Sequence, residues 1–176
     1  MEKLFIDDLS WNFDKSTYIN EMIETHNEIL LELHYLSDFK NAKILRDFLE
    51  ELLVQMKIPA QTVSRFILAG DELNNNAIEY GSAAGELNKM RVIVKKVEKT
   101  YSIQLEVEDT GTGEKSKTAD EMRQKQKDVL EKWFRNHSSI RGRWLFMIIV
   151  KIMDELYFEN SQKWWLIVWI KKDLLV

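Results

Sequence analysis

The feature that most constrains the fold of this chain is a pair of alternating segments that run into a glycine-rich loop. In residues 89–97, Met90, Val92 and Val94 fall on one face, and in residues 101–109 apolar side chains occupy every second position up to Val107. This period predicts two β-strands, each with one buried and one solvated face, joined by a tight turn at residues 98–100. We therefore expect an antiparallel hairpin whose solvated face carries Ser102, Gln104, Glu106 and Glu108.

A helix is predicted before this hairpin, over residues 60–80, and Gly81 is expected to stop it. Glu72 and Asn76 are four residues apart, so a helix places them side by side. Oxygen atoms of these side-chain types suit Mg²⁺, which leaves its other positions to water and nucleotide phosphates. The alternative is a solvated helix face. Three successive asparagines at 74–76 argue against that alternative, because asparagine is a poor helix former.

The hairpin ends in the loop Asp109-Thr-Gly-Thr-Gly113. Gly111 and Gly113 let the backbone turn sharply and approach a ligand closely. The Asp109 carboxylate can accept a hydrogen bond from an exocyclic amine such as that of adenine. An ordinary β-turn remains the alternative interpretation of this short pattern.

The other elements are predicted from shorter patterns. A strand is expected over residues 28–35, a helix over 41–56 and a charged amphipathic segment over 114–137. A second hairpin turns at residues 160–162, and its last strand is apolar on both faces. The face away from the helices should therefore be covered by N-terminal aromatic residues or by a second subunit.

Two arginines flank a glycine at the start of a further apolar helix, predicted over residues 144–154. Arg141, Gly142 and Arg143 are expected to form an anion site, because a helix N-terminus adds N–H groups and the positive end of its dipole. Ordinary solubilising charges are the alternative.

Composition excludes several classes of protein and site. The formal net charge of -4 argues against a nucleic-acid binder, which usually carries a basic patch. The absence of cysteine excludes disulfides and thiolate metal sites and fits the cytoplasm. The apolar runs are too short to span a bilayer.

The motifs, in this order, resemble those of one superfamily. Glu72-Leu-Asn-Asn-Asn76-Ala resembles the N box of the histidine-kinase-like ATPases, which include gyrase and the histidine kinases. Asp109-Thr-Gly111-Thr-Gly113 is similar to the adenine-binding G1 box. Arg141-Gly142-Arg143-Trp144-Leu145-Phe146 is similar to the next glycine box of bacterial anti-sigma-factor serine kinases. The resemblance covers roughly residues 29–172.

This resemblance implies a fold and a set of roles. The fold is an α/β two-layer sandwich, with a mixed, mostly antiparallel sheet and helices on one face. Residues 29–176 form a single ATPase domain after an N-terminal extension, residues 1–28. Asn76 binds Mg²⁺, Glu72 is the general base, and Asp109 binds the adenine amino group of ATP in a pocket shaped by Gly111 and Gly113. The phosphates lie near Arg141, Gly142 and Arg143.

The implied function is that of an anti-sigma-factor serine-protein kinase, which phosphorylates an antagonist protein and binds a sigma factor. A homodimer is expected, with no membrane or direct nucleic-acid partner. Trp144 stands where the family pattern has a second glycine. This departure favours an alternative, a module that kept the fold, lost catalysis and acts only by protein binding. The ATP-binding half of a two-component histidine kinase is the least favoured interpretation, because His26 lacks the expected surroundings.

Overall fold

The computed structural model of the protein describes residues 2–9, 13–26, 28–135, 149, 152–163 and 165–175. Within this part of the chain, six strands form one sheet in the order β1-β2-β3-β4-β6-β5. In chain order the helices and strands are β1 (Glu2–Phe5), α1 (Lys15–Thr25), β2 (Glu28–Leu36), α2 (Lys40–Gln55), α3 (Ala60–Asn76), β3 (Leu87–Val97), β4 (Thr100–Glu108), α4 (Ala119–Arg135), β5 (Glu155–Asn160) and β6 (Leu166–Leu175).

The sheet is mixed but mostly antiparallel. Strand β1 pairs with β2 in parallel, whereas the pairs from β2 to β5 across the sheet are antiparallel. Every second side chain of the central strands is buried against the helices. Phe48 of α2 and Phe66 of α3 are buried in the same core. The predicted α/β fold and the predicted hairpin, now β3 and β4, are confirmed.

The N-terminal residues add to the same core. Strand β1 extends the sheet beyond β2, and Ile19 and Met22 of α1 are buried in the main hydrophobic cluster. A domain boundary between residues 28 and 29 stays a prediction. Within the described residues, no helix has the length and apolar character needed to cross a membrane.

The sheet face opposite the helices is less solvated than its alternating sequence suggests. Glu32 is 4% exposed and Glu108 is 6% exposed. Arg91 lies between them, with Nε 2.5 Å from a Glu32 oxygen, Nη1 3.2 Å from Glu106 and Nη2 2.9 Å from Glu108. The prediction of a fully solvated face was wrong for Glu108, because the guanidinium group and its partners shield one another from water.

The last strand also differs from expectation. Ile167 and Trp169 of β6 point away from the helices, and both are half-buried, as is Trp165 directly before the strand. Trp169 stacks on Tyr157 of β5, with ring centroids 4.3 Å apart. Strand β1 lies at the opposite edge of the sheet from β5 and β6, so it does not cover these residues.

Candidate functional site

Helix α3 presents Glu72 and Asn76 side by side, as their spacing predicts. The Asn76 Nδ2 atom donates a hydrogen bond to Glu72 Oε1 at 3.1 Å. Asn76 is exposed and Glu72 is half-buried. Because its amide nitrogen is directed at Glu72, the Asn76 side chain has its carbonyl oxygen left to coordinate a cation.

The neighbouring Asn74 lies on the other side of α3, inside the core. Its Oδ1 accepts a hydrogen bond from the Tyr35 hydroxyl at 2.8 Å, and its Nδ2 donates to the Gly70 carbonyl oxygen at 2.8 Å. Burial, and then the charge of Asp109, raise the pKa of Tyr35 far above its ordinary value. The asparagine run is therefore partly structural, which its helix propensity did not indicate. Tyr35 lies at one of the inward-facing positions of β2. The alternation of β2 was therefore the sequence signal that could have predicted a buried partner for Asn74.

Helix α3 widens into a π-helical turn over Ala77–Gly81 before it ends. The Ser82 amide donates to the Ala77 carbonyl oxygen, five residues earlier, at 2.9 Å. The helix stops at Gly81 as predicted, but for a different reason. Gly81 does not adopt a positive φ. A Cβ atom at this position would lie 2.2 Å from Asp109 Oδ2, so a side chain has no room there.

The Asp109 carboxyl group lies directly after β4 and is 6% exposed. Its Oδ1 accepts hydrogen bonds from the Gly111 amide at 2.9 Å and the Leu166 amide at 3.4 Å. Burial raises the pKa of Asp109 to about 6, even though these two amides lower it. Gly111 has a φ of 65°, a conformation that glycine adopts without strain.

Gly113 brings the loop against the end of α3. Its amide donates to the Gly81 carbonyl oxygen at 3.1 Å, and a Cβ atom on Gly113 would lie 2.2 Å from the Tyr80 carbonyl oxygen. The loop of Asp109 therefore contacts the helix end that follows Asn76 by five residues. The structure therefore places Glu72 and Asn76 on one face of α3 and packs the loop of Asp109, Gly111 and Gly113 against the end of that helix.

Arg141, Gly142, Arg143 and Trp144 lie outside the described residues. The anion site expected there, and most of the helix predicted from residue 144, therefore stay predictions.

A cleft of about 750 Å³ opens beside this loop. It lies between the turn that precedes α2, the end of α3 and residues 112–115, and Phe39 and Tyr80 are exposed aromatic residues in its wall. Glu72, Asn76 and Asp109 do not line it. The cleft therefore shares Gly113 with the candidate site but lies beside the other three side chains.

A family model described as the histidine kinase-like ATPase domain matches residues 37–171. A search of curated proteins finds no match. The matched range runs from the turn before α2 into β6 and contains every residue assigned above to the candidate site.

Proposed function

The chain belongs to the histidine kinase-like ATPase family, and on that premise we propose that it is a serine-protein kinase of the anti-sigma-factor type. It binds ATP with Mg²⁺ and transfers the γ-phosphate to a serine of an antagonist protein. It also binds a sigma factor. The motif order in the sequence supports this subtype, and the family membership supports ATP binding.

The observation that carries the proposal is the pairing of Glu72 with Asn76. The Glu72 carboxylate and the Asn76 side-chain amide stand on one helix face, with Asn76 Nδ2 3.1 Å from Glu72 Oε1. The same helix ends against the Asp109 loop. A base, an oxygen ligand and a buried hydrogen-bond acceptor are therefore held by one helix end and one loop, which fits a nucleotide lying along that end.

The residues present fit a magnesium ion and an adenine ring. Asn76 offers a carbonyl oxygen, the donor type that Mg²⁺ prefers. In the described part of the chain, both hydrogen bonds to the Asp109 carboxyl end on Oδ1. Oδ2 therefore supplies an acceptor for the adenine amino group. When bound, Mg²⁺ neutralises charge on the phosphates, which phosphoryl transfer requires.

In the proposed reaction Glu72 is the general base. Its carboxylate accepts the proton of the serine hydroxyl as the serine oxygen forms a bond to the γ-phosphorus and the bond to the leaving β-phosphate oxygen breaks. The hydrogen bond from Asn76 orients this carboxylate on α3. Asp109, Gly111 and Gly113 hold the adenine ring. The phosphates are assigned to Arg141, Gly142 and Arg143.

The test compares nucleotide binding with phosphotransfer. We expect the purified chain to bind an ATP analogue with Mg²⁺ in calorimetry and to label extract proteins with phosphoserine from γ-labelled ATP. Glu72→Ala should lower transfer by about 10²- to 10⁴-fold, the usual contribution of a general base, while ATP affinity stays within about threefold. Glu86→Ala, at an exposed loop residue, is the matched control. Absence of nucleotide binding would contradict the proposal.

A second candidate, a module that acts only by protein binding, is favoured by Trp144 at a position where the family pattern has glycine. In that case the wild-type chain transfers no phosphate, and Glu72→Ala changes nothing. Trp144→Gly separates the two candidates further. Restored transfer or a large gain in ATP affinity would identify the indole as the block.

We also propose a cytoplasmic homodimer that uses the outer sheet face. The half-buried strip of Trp165, Ile167 and Trp169 supports this, because it leaves apolar surface that a partner could cover. Sedimentation of wild type and of Trp169→Lys tests it. A monomer at all accessible concentrations would contradict it.

A further inference from the structure

A chain of hydroxyl groups joins the segment after α3 to the Asp109 loop. We propose that Thr110 and Thr112 are positioning residues, which hold the Asp109 carboxylate where it discriminates adenine from other bases. The inference rests on the proposed function, in which Asp109 contacts the adenine amino group. It assigns roles to the two threonines of Asp-Thr-Gly-Thr-Gly, which the glycine pattern leaves open.

The hydroxyl chain consists of four consecutive hydrogen bonds. The Ala83 amide donates to Thr112 Oγ1 at 3.0 Å, and Thr112 Oγ1 lies 2.7 Å from Thr110 Oγ1. Thr110 Oγ1 donates to Ser82 Oγ at 3.0 Å, and Ser82 Oγ donates to Asn88 Oδ1 at 2.5 Å. Thr110, Ser82 and Asn88 are at most 5% exposed, so water has little access to the bonds among these three residues, whereas Thr112 is exposed.

The hydrogen bonds follow one direction when Asn88 Oδ1 faces Ser82, as it does in this structure. The single proton of Ser82 is then directed to that oxygen, and Thr110 donates to Ser82. The Ala83 amide only donates, so Thr112 accepts from it and directs its own proton to Thr110. The Thr110 amide adds a further bond to Ser82 Oγ at 2.9 Å. Ser82 is thus fully bonded, and the loop has one favoured position.

This position determines where the Asp109 carboxyl group lies. Gly81 and Ser82 are adjacent in sequence, and so are Asp109 and Thr110. Ser82 bonds both the amide and the hydroxyl of Thr110. Gly81 approaches the Asp109 carboxyl so closely that a Cβ atom would lie 2.2 Å from Oδ2. The hydroxyl chain therefore fixes the distance between the Gly81 backbone and the Asp109 carboxyl group. A longer distance lets the carboxyl group rotate.

The experiment replaces one hydroxyl and measures base discrimination. Thr110→Val keeps the shape of the side chain and removes its hydroxyl. Inosine triphosphate carries a carbonyl oxygen where adenine carries its amino group, so only ATP can donate a hydrogen bond to Asp109 from that position. We expect Thr110→Val to weaken ATP binding by about five- to tenfold, the cost of one neutral hydrogen bond, and to leave inosine triphosphate affinity unchanged. Thr110→Ser, which keeps the hydroxyl, should retain wild-type discrimination.

The matched control is Thr62→Val, at a buried threonine in the first turn of α3. It should leave the affinities for both nucleotides unchanged. Equal losses for both nucleotides in Thr110→Val would indicate general loosening of the fold and would overturn the inference.

A second measurement needs no nucleotide. The Gly111 amide donates to Asp109 Oδ1 at 2.9 Å, so its hydrogen exchange reports on the position of the carboxyl group. Thr110→Val should accelerate this exchange by about five- to tenfold and Thr62→Val should not. Unchanged exchange would overturn the inference even if wild type binds ATP. Failure of wild type to bind ATP would instead refute the proposed function and, with it, the role in adenine discrimination.

Discussion

Two clusters of polar side chains, each with buried members, stabilise this fold by different means. The charged cluster, Arg91 with Glu32, Glu106 and Glu108, lies on the outer face of the sheet. The neutral cluster, Ser82, Asn88, Thr110 and Thr112, joins the end of α3 to the Asp109 loop. Both join polar groups that have little access to water, although the buried Asn88 Nδ2 atom has no hydrogen-bond partner within the described residues. They differ in what their loss would change.

The charged cluster depends on protonation. Burial opposes ionisation of Glu32, but hydrogen bonds from Arg91 and His34 outweigh it and lower the pKa of Glu32 to about 2. A folded-state pKa below the usual value means that folding favours the ionised form. Its contribution to stability is therefore present above the pKa of the unfolded chain, near 4.5, and is lost as the pH falls towards 2.

The neutral cluster contains no titratable group, so its hydrogen bonds do not change with pH. Each hydroxyl contributes only about 1 kcal/mol, but together they fix the direction of the loop. We therefore expect the charged cluster mainly to determine stability and the neutral cluster mainly to determine the position of one carboxyl group.

Removal of Arg91 should have the largest effect on stability. Arg91→Ala leaves three clustered carboxylates without their main partner and should lower the free energy of unfolding by about 3–5 kcal/mol in urea titrations. The loss of stability between pH 4.5 and 2 should also become smaller, because Glu32 loses its partner. A loss of ATP affinity as large as the loss of stability would contradict a mainly stabilising role for this cluster.

Arg46→Ala is the matched control. Arg46 pairs with Asp71 on the surface, where its side chain is 43% exposed. A surface pair of this kind contributes at most about 1 kcal/mol. A comparable loss at both arginines would show that burial of the Arg91 cluster is unimportant.

Gly81→Ala should affect both stability and the site. The added methyl group meets the Asp109 carboxyl group at 2.2 Å, so the loop or the carboxyl group must move. We expect a loss of about 1–3 kcal/mol in stability, as for overpacked sites, together with weaker ATP binding.

Gly70→Ala, in the same helix, is the control for this substitution. Its nearest contacts would be the methyl groups of Leu49 and Leu105, at 3.0 and 3.2 Å, and these can shift. Alanine also favours the helix by about 1 kcal/mol, so the net change should be small. Equal effects at the two glycines would contradict a specific contact between Gly81 and Asp109.

The pH dependence of adenosine binding tests whether the Asp109 carboxyl group contacts the base. Because burial raises the pKa of Asp109 to about 6, the acceptor is ionised at pH 7.5 and largely protonated at pH 5. Adenosine does not titrate in this range, so its affinity, measured by NMR, should fall by about tenfold at pH 5. Asp109→Asn keeps an acceptor oxygen and should show no such dependence. A flat profile in wild type would mean that Asp109 does not contact the base.

Local patterns predicted much of the fold and half of the site. The alternation of β3 and β4 and the pairing of Glu72 with Asn76 depend on residues close in sequence, where a period of two or a spacing of four is enough. The widened turn and the contact of Gly81 with Asp109 could not be predicted this way, because they depend on how a helix end packs against a distant strand end.

The charged cluster was missed for a related reason. Sheet register places Arg91 opposite Glu32 on one neighbouring strand and opposite Glu106 on the other. In sequence these residues only look like polar positions of three amphipathic strands. Register is a property of strand pairing, so one strand at a time predicts a solvated face.

The π-helical turn at Ala77–Gly81 changes the angular position of the side chains around the helix axis just before the Asp109 loop packs against it. A turn of this kind holds one more residue than an ordinary α-helical turn, and one residue corresponds to about 100° of rotation around the helix axis. Side chains upstream and downstream of it therefore follow two separate angular settings. Glu72 and Asn76 lie before the turn and Gly81 lies at its end. The extra residue therefore lets the helix direct Glu72 and Asn76 to one side and pack Gly81 against the Asp109 loop on another.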